Sequence, residues 1–116
     1  MPKQKLHPLP SAAFQILLSL AGEDLHGYGI MRQVADQTDG RMRLGPGTLY
    51  SSIQTLLEEK FIEEVDHRED AKLGTERRRY YRLTSAGRKL ARGEAERLAD
   101  LLRVARTKKI LRGDYV

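Results

Sequence analysis

The chain has 116 residues, enough for one domain with a modest hydrophobic core. Its 21 lysines and arginines outnumber its 16 aspartates and glutamates, and the resulting net charge of +5 favours an anionic partner. The sequence has no cysteine, which excludes disulfides and cysteine-ligated metals, and no apolar run long enough to span a bilayer. Its first residues lack the apolar core of a secretory signal. We therefore expect a cytoplasmic protein without a membrane segment, metal site or cofactor.

Two helices are predicted in the first third of the chain. The helix over residues 10–21 carries apolar residues at helical spacing, namely Phe14, Leu17, Leu18 and Ala21, widened by Ile16 and Leu20. The helix over residues 27–38 buries Met31 and Val34 together with either Tyr28 or Ile30. A turn signal follows at residues 39–40, and residues 42–44 are predicted to form a very short strand.

The third predicted helix begins at Pro46 or Gly47 and ends near Lys60. At about 100° per residue, one sector of this helix is apolar and forms a core stripe of Leu49, Ile53, Leu56 and Leu57. The other side is small, polar and uncharged, with Thr48, Ser51, Gln54 and Thr55. Such side chains can approach another polymer closely and form hydrogen bonds with it. Tyr50 lies at the edge of the apolar stripe, so it either caps the core or contacts that polymer.

A hairpin follows, with strands at residues 61–65 and 77–83 and a polar loop between them. The loop and the second strand are rich in cations: Arg68, Lys72, Arg77, Arg78, Arg79 and Arg82. Arginines in such a hairpin hold phosphates and position a protein on DNA without reading its sequence. For Arg79 and Arg82 the main alternative is a salt bridge to a glutamate of the paired strand.

The last predicted helix begins after Thr84, a suitable N-cap, and ends near Leu111. Its apolar stripe is narrow and consists of Ala91, Ala95, Leu98, Leu102 and Ala105, with Leu101 alongside. At roughly seven turns the helix is longer than so small a body can cover, so we predict a dimer contact. Packing against the first helix of the same chain is the alternative. The basic segment over residues 103–112 is either a solvated helix end or a secondary phosphate contact.

This order of elements predicts a mainly α fold with a small β-hairpin. It is the order of a winged helix-turn-helix domain (residues 1–84), here followed by a C-terminal dimerisation helix and basic tail (residues 85–116). The third helix of such a domain enters the major groove. Acids follow that helix at residues 58, 59, 63 and 64, whereas residues 41–57 contain none, so its N-terminal half is expected to face the phosphates. Gln54 can pair with adenine in a bidentate manner, a contact that contributes about 1–3 kcal/mol of discrimination.

Three ordered motifs resemble the PadR family of transcriptional regulators: residues 26–30 (HGYGI), 47–50 (GTLY) and 79–87 (RYYRLTSAG). The resemblance extends over residues 8–111 and is closest to the small members with a single C-terminal helix. It implies a winged helix, a homodimer built through the C-terminal and first helices, and repression at a palindromic operator, with relief by a small-molecule effector left open. It also places three side chains at DNA-facing positions, Tyr28, Thr48 and Tyr50.

The chain departs from the family pattern where DNA would be read. Proline is common in the family at the position of Ser51, and arginines at those of Gln54 and Thr55, so no operator sequence can be transferred. Glycine is common where Lys60 stands, and a lysine in left-handed geometry there costs about 1 kcal/mol. The glycine-arginine-proline wing of many members is absent, as is a tryptophan for an aromatic sandwich around a flat ligand.

No enzymatic motif accompanies these features. The histidines at positions 7, 26 and 67 are isolated, no HExxH or nucleophile-elbow pattern occurs, and residues 45–47 lack the lysine of a phosphate-binding loop. We therefore expect no enzyme and interpret His26 as a helix-start residue. The competing function is a winged-helix module that binds protein or RNA. The uncharged helix face favours duplex DNA, because a protein-binding groove would expose apolar anchors.

Overall fold

The computed structural model describes residues 9–66 and 79–114. These residues form four helices and three strands, in the order α1 (Ser11–Leu20), β1 (Leu25–His26), α2 (Gly27–Gln37), α3 (Pro46–Glu58), β2 (Ile62–Val65), β3 (Tyr80–Leu83) and α4 (Ser85–Thr107). The predicted mainly α fold with a small β-hairpin is confirmed, and a third strand joins the hairpin in an antiparallel sheet. Across the two described ranges, no helix has the length and apolar character needed to cross a membrane.

The sheet contains a strand that the sequence analysis placed elsewhere. Its order is β1-β3-β2, with Leu25 opposite Tyr81 and Ile62 opposite Leu83. The strand predicted at residues 42–44 is wrong: the backbone N–H of Met42 donates to Oγ1 of Thr38 at 3.0 Å instead. A two-residue strand carries no periodicity, so only the free edge of β3 decides where it forms.

The core lies where α1, α2 and α3 pack together against the sheet. On α1 the buried stripe is rotated from the predicted one, because Leu18 and Ala21 are exposed and the buried apolar residues are Ala13, Ile16, Leu17 and Leu20. Helix α1 is apolar at most positions, so both stripes satisfy helical spacing and only packing distinguishes them. On α2, Ile30 and the predicted Val34 are buried and Met31 is half-buried, whereas Tyr28 is exposed. The predicted stripe of α3 is confirmed, with Leu57 half-buried.

The start of α4 is anchored in this core. Thr84 is its N-cap, as predicted: Oγ1 accepts the N–H of Gly87 at 3.0 Å and donates to the carbonyl of Lys60 at 2.8 Å. The N–H of Thr84 donates to the carbonyl of Phe61 at 3.1 Å. Ala91 is also a core residue. It therefore packs within its own chain, which was the alternative to a dimer contact at this position. Any surface of α4 for a second copy begins at Ala95.

Helices α3 and α4 are each followed by a left-handed lysine that redirects the chain. Lys60 has φ 63°, and the N–H groups of Lys60 and Phe61 close the end of α3 onto the carbonyls of Leu57 and Leu56. This turn sends the chain directly from α3 into β2. Lys109 has φ 62°, so α4 ends at Thr107, about one turn before the predicted end.

Candidate nucleic-acid interface

The N-terminal end of α3 is open to solvent and to an anion. Gly45 precedes the helix without a side-chain cap, and Pro46 occupies its first turn. The first N–H groups of the helix therefore lack an intrahelical partner and point outward with the positive end of the helix dipole. Thr48 lies exposed at this end, as predicted.

Two tyrosines flank this end of α3 on one surface. Tyr28 is 62% exposed and Tyr50 is 54% exposed, so Tyr50 does not cap the core. A Cβ on Gly27 would lie 2.7 Å from the hydroxyl of Tyr50, so the Tyr50 ring lies directly against the start of α2 and a larger residue there would displace it. Together these residues line a hollow of ≈ 330 Å³, which we call the Tyr50 hollow: His26, Gly27, Tyr28, Tyr50, Arg79 and Tyr81.

His26 caps α2, and its ring stacks beside Tyr28 with centroids 6.4 Å apart. Its Nδ1 accepts the N–H of Gly29 at 3.0 Å and so caps α2, which confirms the expected helix-start role. The ring also packs edge-on against Tyr80, with centroids 5.2 Å apart. Because Nδ1 is an acceptor, this cap requires the imidazole to carry no proton on that nitrogen.

The floor of the Tyr50 hollow is a buried phenol. Burial raises the pKa of Tyr81, and the nearby Glu64 carboxylate raises it further, so the hydroxyl keeps its proton at neutral pH. The Arg79 guanidinium at the rim lies 3.7 Å from Glu64 of the paired strand, as the alternative for this arginine proposed. The pair is solvent-exposed and therefore weak, so Arg79 remains able to meet a phosphate.

The polar face of α3 is partly occupied by its own hydrogen bonds. Ser51 Oγ donates to the Thr48 carbonyl at 3.3 Å, and Thr55 Oγ1 donates to the Ser51 carbonyl at 3.1 Å. The amide of Gln54 donates to Glu58 Oε1 at 3.3 Å. In these contacts the two hydroxyls present their lone pairs outward, and all three side chains must leave exposed, weak contacts to donate to a base. Spacings of three and four residues between polar side chains and carbonyls could have predicted this.

The arginines of the second hairpin strand are not equivalent. Arg82 forms a bidentate pair with Asp24, at 2.8 Å and 3.1 Å, which raises the pKa of its guanidinium. The expected salt bridge exists, but it joins β3 to the segment before β1 and not to the neighbouring strand. The predicted DNA contacts Lys72, Arg77 and Arg78, like Arg68, lie outside the described residues and stay predictions.

The sequence analysis missed two arginines beside Tyr28. The guanidinium carbon of Arg32 lies 5.9 Å from the centre of the Tyr28 ring. Arg32 and Arg43 line a second hollow of ≈ 300 Å³, which we call the Arg43 hollow: Tyr28, Met31, Arg32, Ala35, Asp36 and Arg43. Two signals could have found them, since Arg32 lies four residues after Tyr28 and Arg43 lies in the acid-free stretch.

The distal part of α4 exposes apolar side chains. Leu101 is 51% exposed, Leu102 44% and Val104 49%. Of the predicted dimer residues, Ala95 is also exposed, whereas Leu98 and Ala105 are half-buried. Val104 was not predicted, because it lies about 140° around the helix from the centre of the predicted stripe, next to the polar side. The polar side of the helix carries its own ion pairs, Arg97 with Glu94 and Arg103 with Asp100.

Together the exposed α3, the hairpin and the two hollows define a winged-helix DNA-binding domain. Within the part of the chain that the structure describes, no group of three or more His, Cys, Asp or Glu side chains could hold a metal ion. A model of the "Transcriptional regulator PadR-like family" matches residues 16–92. The chain belongs to this family of DNA-binding transcriptional regulators.

Solved structures share this fold. A transcriptional regulator from Clostridium thermocellum is 27% identical, with a TM-score of 0.67 over 82% of this chain and 89% of that one. A PadR family transcription regulator from Clostridium difficile is 23% identical, with a TM-score of 0.72 over 84% and 97%. Bacillus subtilis PadR, solved in complex with operator DNA, is 21% identical, with a TM-score of 0.63 over 74% of this chain and 47% of that one.

One relative belongs to a mobile element. A 37.1 kDa protein in the transposon Tn4556 of Streptomyces fradiae is 34% identical over 90 residues, which are 78% of this chain. The chain spans only about a quarter, 24%, of that relative's length.

Proposed function

We propose that the protein is a homodimeric, sequence-specific repressor that binds a palindromic operator in duplex DNA. The observation that carries the proposal is the exposed, acid-free N-terminal half of α3 beside two exposed tyrosines, Tyr28 and Tyr50. Residues 1–84 bind DNA in this proposal, and residues 85–116 dimerise in the cytoplasm. A small molecule that relieves repression would bind between α4 and the winged-helix part and change the separation of the two α3 helices.

The charge of the domain supports one orientation on DNA. Exposed acids, at Glu58, Glu59, Glu63 and Glu64, follow the polar face of α3, so this end points away from the phosphates. The open N-terminus of the helix then enters the major groove, where Gln54 reaches base edges and Tyr50 reaches a phosphate. The hairpin, with Lys72, Arg77 and Arg78 in its sequence, lies along the DNA phosphate backbone beside that groove.

The length and surface of α4 support the dimer. The helix has 23 residues, about 34 Å, but only its first turns belong to the core. Its distal part exposes two large apolar side chains on or beside the predicted stripe, Leu101 and Leu102, which water contacts until another surface covers them. A second copy of α4 covers them symmetrically, and a two-fold dimer places its two α3 helices about 34 Å apart on one side of the duplex.

Operator selection from fragments of the source genome tests DNA recognition. The selected duplex and a scrambled duplex of equal length are compared by fluorescence anisotropy at two salt concentrations. We expect tight binding of the selected duplex, which Gln54→Ala makes less selective without abolishing affinity. Arg78→Ala should instead weaken binding to both duplexes and reduce the slope of log affinity against log salt concentration by about one unit. Equal binding of both duplexes by the unchanged protein would refute the operator and favour the module for protein or RNA.

Sedimentation analysis tests the dimer. We expect the double variant Leu98→Glu, Leu102→Glu to be a monomer, because a second helix cannot bury four carboxylates against each other. Its affinity for the operator should fall to that of a single half-site. Glu96→Gln, on the polar side of the same helix, is the control and should remain dimeric. A double variant that stays dimeric would place the interface elsewhere.

A further inference from the structure

The side chain of Tyr28 separates the Tyr50 hollow from the Arg43 hollow. Both hollows include Tyr28 in their lining, and both include at least one arginine. We propose that they hold neighbouring phosphates of one DNA strand, and that Arg32 and Arg43 bind the phosphate in the Arg43 hollow. The inference rests on the proposed DNA-binding function and assigns contacts on the α2 side of the domain.

Arg32 and Arg43 are available for an anion. Neither forms an ion pair within residues 9–66 and 79–114, whereas Arg79, Arg82 and Arg103 each do. Arginines already paired to carboxylates lose part of their attraction for phosphate. An uncommitted guanidinium keeps its full charge and its planar set of donors.

The two guanidinium groups approach the hollow from separate elements. Arg32 projects from α2 and lies over the Tyr28 ring, which limits its rotamers while its N–H edges stay open. Arg43 belongs to the turn between α2 and α3, two residues before the N-cap Gly45. Its Nη2 lies 3.5 Å from the Cβ position of Gly40, so its side chain folds back across the turn. The α2 side and the open end of α3 can therefore contact one strand together.

Asp36 allows a second test of whether the Arg43 hollow binds an anion. It lines the Arg43 hollow and is exposed, one helical turn after Arg32. A carboxylate there repels a phosphate across a partly solvated gap. Removing its charge should therefore strengthen DNA binding if the hollow holds an anion, and the effect should shrink as salt is raised.

The test uses the full chain and its selected operator, with single phosphates replaced in turn by neutral methylphosphonates. In the unchanged protein we expect two neighbouring positions in each half-site at which the replacement lowers affinity about tenfold. Arg32→Ala and Arg43→Ala should each weaken the unmodified operator about tenfold, with an unchanged preference over the scrambled duplex. In both variants, the methylphosphonate at the phosphate assigned to the Arg43 hollow should no longer lower affinity. The one at the phosphate assigned to the Tyr50 hollow should still do so.

Two further variants complete the design. Asp36→Asn should tighten binding severalfold at low salt and less at high salt. Arg92→Ala is the matched control, because this exposed arginine lies on α4 and lines neither the Tyr50 hollow nor the Arg43 hollow. It should change affinity less than twofold and leave the methylphosphonate profile intact.

The outcomes separate this inference from the proposed function. If the operator is preferred but Arg32→Ala and Arg43→Ala behave like Arg92→Ala, the hollow assignment is overturned and the operator stands. The same holds if the methylphosphonate profile is identical in all variants. If no duplex is preferred, the operator itself is refuted and this inference falls with it.

Discussion

Two glycines of α4 should respond in opposite ways to the same substitution. A Cβ on Gly87 would lie 1.9 Å from the carbonyl oxygen of Phe61 and 2.8 Å from Cδ1 of Leu83. A Cβ on Gly93 would have no heavy atom within 4 Å. Alanine favours helix over glycine by up to about 1 kcal/mol, so Gly93→Ala should stabilise the protein by about that amount.

For Gly87→Ala the close approach outweighs that gain. The Phe61 carbonyl is part of the backbone and accepts the N–H of Thr84 at 3.1 Å, so it cannot swing aside as a side chain would. Forcing a methyl group into a filled space costs about 1–3 kcal/mol, and loss of the Thr84 contacts adds about 1 kcal/mol. The expected net effect is a loss of about 2 kcal/mol, which lowers Tm by roughly 8 °C.

Urea unfolding followed by far-UV circular dichroism measures both variants. Protein concentration is kept equal in all titrations, because dimerisation contributes to apparent stability. Gly93 lies on the side of α4 opposite Leu102, about 180° away, so its substitution leaves the proposed dimer surface intact. A Gly87→Ala protein as stable as the Gly93→Ala protein would show that α4 does not approach Phe61 this closely.

Three further predictions concern stability. Lys60→Gly should stabilise by about 1 kcal/mol in the same titration, because φ at this position is 63°, and Lys60→Ala should not; equal effects would contradict the left-handed turn. Asp24→Asn should lower the free energy of unfolding slightly, since the Arg82 pair is partly exposed, and a double-mutant cycle with Arg82→Gln should show coupling that salt reduces; additive losses would argue against the pair. Arg97 holds the pKa of Glu94 below its usual value, so the Glu94–Arg97 pair stabilises the folded protein fully above the usual carboxyl pKa. This stabilisation is lost as pH falls through the lowered pKa. A pH–stability profile unchanged by Glu94→Gln would contradict this prediction.

The sequence predicted most of the elements because their signals are local. Helix α3 combines a proline start with one apolar sector, and the structure has both. The caps of α2 and α4, at His26 and Thr84, depend on side chains that bond a backbone N–H three residues later. Signals of this kind are contained within one turn of chain, so no knowledge of distant contacts is needed.

The candidate site was predicted less completely. Tyr28 and Tyr50 lie on the expected surface, but Arg32 and Arg43 were missed and Arg82 pairs with Asp24. Whether an arginine meets DNA depends on which carboxylates lie near it in space. Asp24 and Arg82 are 58 residues apart, so no sequence pattern connects them.

The sequence by itself determined the family, the order of the helices and the acid-free half of α3, because motifs, periodicity and charge are properties of neighbouring residues. Tertiary structure decided which face of α1 is buried, where the third strand forms and which arginines are already neutralised. It also decided that Ala91 belongs to the core, whereas Leu101 and Leu102 remain exposed. These outcomes depend on contacts between distant segments, whose energies no local pattern contains.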